Sequence, residues 1–370
     1  MGLLARARRR MAQSMTAVLI GAALAGMAAY AGLPGWGGTD DRSSGSMRPA
    51  SITVATAAAI DHTSVFAASE LGFFEERDLT ARVKKYPTGV EITKAVASGE
   101  AQFGLLGSYT TLAAAARGLP IRVVAIGHGD ATATYYNANQ ALISGPGSGI
   151  KPGDPSTVKG KRIGLPLGSS PEAFVESLLD QAGLRRDDYE LVDVLPADAL
   201  SALRKRSVDA VVMFEPGPQI ALEKVPGSAI IAPGEATNWY DPGVIVTNSS
   251  YLEQNPGVVE EFLTAIAKAQ WSIRKNPDQA AEIATRWVDD LSLATATKSI
   301  RALRFDMRLS TNVVEGYRDL TVPFLARHNK VSTAFDPAEV VDASALNHVR
   351  SQHRPYFRDL YPLYSFEELE

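Results

Sequence analysis

The chain has 370 residues, 45% of them hydrophobic, a formal net charge of −4 and no cysteine. That length buries a sizeable core and suits two lobes, and the missing cysteines exclude disulfides, thiol catalysis, thiolate-bound metals and a lipidated cysteine anchor. Arg6, Arg8, Arg9 and Arg10 stand in a stretch without an acid, so the rest of the chain is more acidic than the whole and a poor partner for nucleic acid.

Residues 1–31 read as an export signal, with an arginine-rich start, an apolar run at 15–29 and the small-residue site Ala29-Tyr30-Ala31, cleaved after Ala31. Retained, the same run would tether the protein to a membrane. Residues 32–50, rich in Gly, Ser and Pro, form a flexible tether. The fold then opens with a β-branched strand at 52–55 and a polar loop carrying Asp61, His62 and Thr63. An α/β sheet presents such a loop to its ligand crevice. Equally, Asp61 or Thr63 would cap the next helix, at 65–70, and leave His62 solvated. A strand at 79–83, a helix at 91–98 stopped by Gly99 and a strand at 101–106 follow. Gly107-Ser108-Tyr109-Thr110 next opens a helix whose first N–H groups and Ser108 hydroxyl point outward, with Tyr109 as aromatic wall or as core. A strand at 121–126 comes after it.

Residues 133–143 cross out of the first lobe, with Gly145-Pro146-Gly147-Ser148-Gly149 at the boundary. A strand at 162–165, a tight turn at Gly168 and a helix start at Ser169-Ser170-Pro171 repeat the earlier corner. Either Ser170 caps this helix, or Ser169 does so in a capping box with Glu172. Strands at 189–194 and 210–214 flank a helix at 197–205, and the second strand delivers Glu215 to the crevice edge. There Glu215 would pair with an amine or N–H-rich ring, or simply stand as an exposed carboxylate at a helix start. Trp239 and Tyr240, at the return crossing, are placed to stack on a flat ligand. A strand at 243–247 rejoins the first lobe, and helices at 256–276 and from Pro277 to Trp287 follow; 299–330 and 337–368 carry no assigned element. The expected fold class is α/β, with lobe I built from 51–143 and 243–370, lobe II from 144–242, and two crossovers as the hinge.

The phrases ASELGFFEERDLTARV, KAVASGEAQFGLLGS, RGLPIRVVA, VKGKRIGLPLGSSPE, LRKRSVDAVVMFEP and VTNSSYLEQNPGVVEEFLTAIAKAQW follow one another in this chain. Together they resemble the nitrate, taurine, sulfonate and thiamine-pyrimidine group of periplasmic solute-binding proteins. The resemblance implies a type II periplasmic-binding-protein fold that closes on a small solute and delivers it to an ABC permease and ATPase complex. It implies a monomer outside the cytoplasm, with no catalysis, no cofactor, no metal and no nucleic-acid partner. By position, it implies ligand contacts at Asp61, His62, Thr63, Ser108, Ser169, Ser170 and Glu215. Burying Glu215 beside a bare anion would cost several kcal/mol, so a taurine-like zwitterion or an aminopyrimidine fits better than nitrate. Asp61-His62-Thr63 also resembles the Asn-His-Thr-Gly loop of the thiamine-pyrimidine branch. One alternative is a pyrimidine-precursor synthase, which uses a histidine of the matching loop with pyridoxal phosphate and a cysteine-rich motif that this chain lacks. Another is a membrane-tethered solute sensor. Walker, HExxH and GxSxG motifs are absent, and His348 and His353, five residues apart, read as surface residues.

Overall fold

The computed structural model describes residues 49–132, 139–237, 240–332 and 335–363. The expected export signal, the tether up to residue 48 and Trp239 lie outside the described residues. In chain order the first sheet receives β1 (Ala50–Thr56), then α1 (Thr63–Glu70), β2 (Leu79–Lys85), α2 (Gly89–Ala97), β3 (Phe103–Gly107), α3 (Ser108–Ala115) and β4 (Ile121–His128). The second lobe contributes β5 (Gln140–Ser144), β6 (Arg162–Leu165), α4 (Ser170–Gln181), β7 (Glu190–Asp193), α5 (Ala199–Lys205), β8 (Ala210–Phe214), α6 (Gly217–Lys224) and β9 (Ala229–Pro233). The chain returns through β10 (Gly243–Asn248) and continues as α7 (Ser249–Gln254), α8 (Pro256–Lys275) and α9 (Pro277–Trp287). Four more helices follow: α10 (Leu293–Ala302), α11 (Thr311–Gly316), α12 (Val322–Arg327) and α13 (Ser344–Gln352).

Each sheet has five strands, ordered β2-β1-β3-β10-β4 in the first and β7-β6-β8-β5-β9 in the second. β1 runs parallel to β2 and β3, and β6 runs parallel to β7 and β8. The strand that each crossing delivers is the antiparallel one: β5 lies between β8 and β9, and β10 lies between β3 and β4. The sequence expectation left 140–143 with lobe I, and here the structure differs. β5 belongs to the second sheet because Leu142 packs into the core on one face while Ala141 and Ile143 pack into the core on the other. Apolar side chains on both faces call for a central strand, and the second sheet supplies neighbours on both sides.

Local chemistry sets the boundaries of the elements that frame the crossings. Thr88 caps α2 by accepting from the Glu91 N–H, and Gly99, at φ +79, ends it. Ile92 and Val96 then face β3, where Gly104 leaves room for them: a Cβ at 104 would stand 2.8 Å from Ile92 Cγ2 and 2.9 Å from Val96 Cγ2. Beyond α9, the region without a sequence assignment wraps back over the first sheet and the first crossing. The Ile126 N–H donates to Met307 O at 3.0 Å, and Arg274 on α8 donates to Phe305 O at 2.7 Å. Ser310 Oγ donates to Ala131 O at 2.6 Å and Asn312 Nδ2 to Thr132 O at 2.9 Å, which braces the chain as it leaves β4. Overfilling the α2–β3 contact tests this packing. Gly104→Ala should cost about 1–3 kcal/mol and lower the melting temperature by several degrees, while an unchanged urea midpoint would mean that the contact yields freely.

Candidate functional site

The Gly-Ser corners end β3 and β6 as expected, and what they meet is Asp241. α3 begins at Ser108 behind Gly107, whose residue type supplies no side-chain cap. Asp241, from the return crossing, caps it instead: its Oδ1 accepts from Ser108 Oγ at 3.0 Å and from the Tyr109 N–H at 3.2 Å. A carboxylate at a helix start is favoured by the free N–H groups and the helix dipole. Gly107 allows the approach, since a Cβ there would lie 3.3 Å from Asp241 Oδ1 and 3.6 Å from Ser170 Oγ. From the second lobe, the Ser170 hydroxyl at the first position of α4 comes beside the same carboxylate and favours its charged form. Burial pushes the Asp241 carboxyl up, and the Ser170, Tyr109 N–H and Ser108 bonds together with His128 work against that rise.

A second buried group lies against the first. Asp61 Oδ2 is 3.1 Å from His128 Nε2 and accepts from Asn139 Nδ2 at 3.3 Å. His128 ends β4 and Asn139 directly precedes β5, so Asp61 ties together the two ends of the first crossing. Gly243 makes space for the imidazole, because a Cβ there would come within 2.2 Å of the His128 ring. Burial raises the Asp61 carboxyl, but the charges of His128 and His62 and the hydrogen bonds from His128 and Asn139 hold it well below the usual carboxylate range. His62 turns toward its own strand: Nδ1 accepts from the Ala57 N–H at 3.1 Å and lies 2.6 Å from Thr56 Oγ1, while Nε2 is 4.0 Å from Asp61 Oδ1. Thr63 Oγ1 donates to Ile60 O at 2.5 Å and closes the loop at the start of α1.

The structure thus brings together Asp61, His62, Ser108 and Ser170, and sets the other expected residues elsewhere. Ser169 is the N-cap residue, yet its hydroxyl donates to Pro166 O at 2.5 Å, and Glu172 accepts from the Gly168 N–H at 2.6 Å rather than from Ser169. Of the two readings of Tyr109, the core one holds for its ring, which meets Phe324 edge-on at 6.1 Å; only its N–H serves the site. The Tyr240 ring is likewise buried, packed against Tyr317 at 5.5 Å, and not open for stacking on a ligand. Glu215 sits next to the site through its backbone, donating to Asn139 O at 2.7 Å. Its carboxylate turns to α6 and α10, accepting from Gln219 Nε2 at 3.3 Å and Ser299 Oγ at 2.9 Å, and burial pushes it up.

Sequence reasoning missed His128, Asn139 and Asp241. His128 stands at the carboxyl end of a strand, the same position that singled out His62. Asp241 sits between two residues that drew attention only as an aromatic and a turn. The resulting cluster is rich in acceptors: Asp61 Oδ1, Asn139 Oδ1 and Asp241 Oδ2 are buried without a well-formed hydrogen bond among the described residues. Leaving such an atom unsatisfied costs roughly 1–3 kcal/mol. The basic side chain beside both carboxylates is His128, 3.1 Å from Asp61 Oδ2. The cluster therefore suits a partner that brings N–H donors, and suits a bare anion poorly.

The site also carries a pH signature. Burial, aided by His128, lowers His62 to about 4 against the opposing pull of Asp61. Between that value and the ordinary histidine range the unfolded chain binds the extra proton, so this contribution to stability rises with pH and is lost as pH falls through the window. Glu176, pushed up to about 7 by burial and by Glu172, acts with the opposite sign, so the informative quantity is a difference between proteins. His62→Asn should flatten the loss of stability between pH 7 and pH 4.5 by at most about 3 kcal/mol, read from urea unfolding. Parallel pH profiles for the two proteins would contradict a buried neutral His62.

A family model described as NMT1/THI5 like matches residues 59–280. The chain is 26% identical over 283 residues to a putative aliphatic sulfonates-binding protein of Bacillus subtilis, an alignment covering 76% of this chain and 81% of that protein. It is 27% identical over 231 residues to the taurine-binding periplasmic protein of Escherichia coli, covering 61% and 68%. It is also 25% identical over 231 residues to the 4-amino-5-hydroxymethyl-2-methylpyrimidine phosphate synthase THI5 of Saccharomyces cerevisiae, covering 59% and 65%. Among solved structures, the alkanesulfonate-binding protein SsuA from Xanthomonas axonopodis pv. citri bound to MOPS matches with a TM-score of 0.69 at 19% identity, covering 80% of this chain and 100% of that one. The chain belongs to the NMT1/THI5-like family and has the two-lobe α/β fold of periplasmic binding proteins.

Proposed function

We propose that the protein is the extracytoplasmic solute-binding component of an ABC importer. It works as an exported monomer that captures one small polar or zwitterionic organic solute between its lobes and passes it unaltered to the permease and ATPase complex. Relatives named for binding taurine and aliphatic sulfonates support a small polar organic solute, and of the two taurine is the one that carries an amine. Among the described residues no helix is long and apolar enough to cross a membrane, so the described part offers no anchor for the sensor reading.

The observation that carries the reading is the trio of oxygens on Asp61, Asn139 and Asp241 that are buried without a hydrogen bond among the described residues, where the Asp61 loop meets the two crossings. An amine or aminopyrimidine N–H would satisfy them, whereas a bare sulfonate or nitrate would set acceptors against acceptors. The donors now held by Asp241, Ser108 Oγ and the Tyr109 N–H, are those for which the anionic end of a zwitterion would compete. In this reading Asp61, Asn139 and Asp241 select the donor end, Ser108 and Ser170 receive the anionic end, and His62 and Thr63 hold the Asp61 loop. Glu215 joins the second lobe to α10 through Ser299. A synthase that uses its histidine as an atom source needs that ring presented to substrate, and His62 is instead held by Thr56 and Ala57.

Calorimetric titration of the purified protein with taurine, alkanesulfonates, nitrate and aminopyrimidines tests the reading, with Asp61→Asn as the comparison. The N–H-bearing solutes should bind the wild type and lose tenfold or more in affinity in the variant, about 1.4 kcal/mol. Plain anions should bind weakly and change little. Equal losses for both classes would remove the donor-selecting role of Asp61.

A further inference from the structure

Further along α4 from Ser170, the helix approaches α12 with a set of side chains that the solute site does not use. We propose that Glu172, Glu176 and His328 bind one divalent transition-metal ion, with Zn2+ as the type case, and that the ion fastens the second lobe to the helical segment packed on the first. Glu172 and Glu176 are four residues apart on α4, so both carboxylates project from one face of the helix. His328 follows α12, whose Phe324 belongs to the core of the first lobe. The His328 ring stacks on Phe324 with centroids 4.4 Å apart and planes at 25°, which fixes the direction of its Nε2.

That nitrogen lies 2.5 Å from Glu176 Oε2. One ligand atom from each of the three residues lies within 4.8 Å of the others. Two ligands at metal distances of about 2.0–2.2 Å stand roughly 3–3.5 Å apart around a tetrahedral ion. Small side-chain rotations reach that spacing. The remaining oxygens already have partners that would orient the ligands: Glu176 Oε1 lies 3.7 Å from Arg186 Nε, and Glu172 Oε2 accepts from the Gly168 N–H at 2.6 Å. A cavity of about 410 Å³ bordered by Glu176, Arg186, Tyr189, Phe324, Arg327 and His328 gives an ion access and leaves space for a water in the fourth position. A donor set of two carboxylates and one imidazole favours zinc or manganese over metals that require thiolates. Because two ligands come from α4 and the third from the far side of the lobe junction, the ion would oppose opening and slow the release of solute.

Untagged, chelator-stripped full-length protein titrated with ZnCl2 by calorimetry, with thermal unfolding in parallel, tests the proposal. One saturable equivalent should bind and raise the melting temperature. His328→Gln and Glu176→Gln should each weaken binding more than tenfold, while the double variant His348→Asn/His353→Asn keeps it. X-ray absorption of the wild-type zinc complex, which needs no variant to fold, should give nitrogen and oxygen ligation with a single imidazole. Absence of saturable binding, retention of full affinity in His328→Gln, loss in the His348/His353 variant or a spectrum with two imidazoles would each overturn the assignment.

Discussion

The arrangement rests on one buried carboxylate held between two helix starts. Asp241 accepts from Ser108 Oγ and the Tyr109 N–H of the first lobe, with the Ser170 hydroxyl of the second lobe beside it. Removing an ion from water is expensive, and donors repay that cost only when their geometry is good. Both hydrogen bonds come from the first lobe, and the second lobe adds the Ser170 hydroxyl beside the carboxylate, where it favours the charged form. Any anionic group entering the junction has to compete with a carboxylate that is covalently tethered nearby. In the proposed reading that competition discriminates: an anion alone would displace a partner already in place, while a molecule that also brings N–H donors would reach the oxygens of Asp61 and Asn139 that lack a hydrogen bond among the described residues.

The glycines show how closely the backbone was adapted to this core. Gly107 admits Asp241, and Gly243 admits the His128 ring that pairs with Asp61. Gly107 ends β3 and Gly243 opens β10, and both make room for side chains that arrive from elsewhere in the chain. The helical segment beyond α9 completes the frame. It braces the first crossing through Ser310 and Asn312 and reaches the second lobe through Ser299 and His328. A hinge made of two short crossings is thus supplemented by polar contacts that are individually modest and that can exchange as the lobes move.

Much of this was legible in the sequence. Runs of β-branched and apolar residues ending in Gly-Ser marked β3 with α3 and β6 with α4, because a helix start needs a turn residue and a cap. The polar loop at Asp61 stood out for the same positional reason. The pairing of Asp61 with His128 and Asn139, and of Asp241 with both serine corners, was not legible, since those partners lie far apart in the chain and share no spacing rule. β5 was assigned to the wrong lobe because a short apolar run does not state which sheet it joins. α10 to α13 escaped the sequence reading; between α11 and α12 a π-helical stretch, Tyr317–Thr321, disturbs the helical period. Without them, the engagement of Glu215 by Ser299 was invisible, and Glu215 looked freer to meet a ligand than it is.

The central claim is reversible capture of an unaltered, donor-bearing solute by the cluster around Asp61 and Asp241. Native mass spectrometry of the untagged protein, followed by release of the bound molecule before and after prolonged incubation, tests it most directly. The account predicts one small molecule per chain, carrying at least one N–H group and recovered at the same mass both times. A molecule that changes mass on the protein, or a bound solute with no N–H donor, would contradict it.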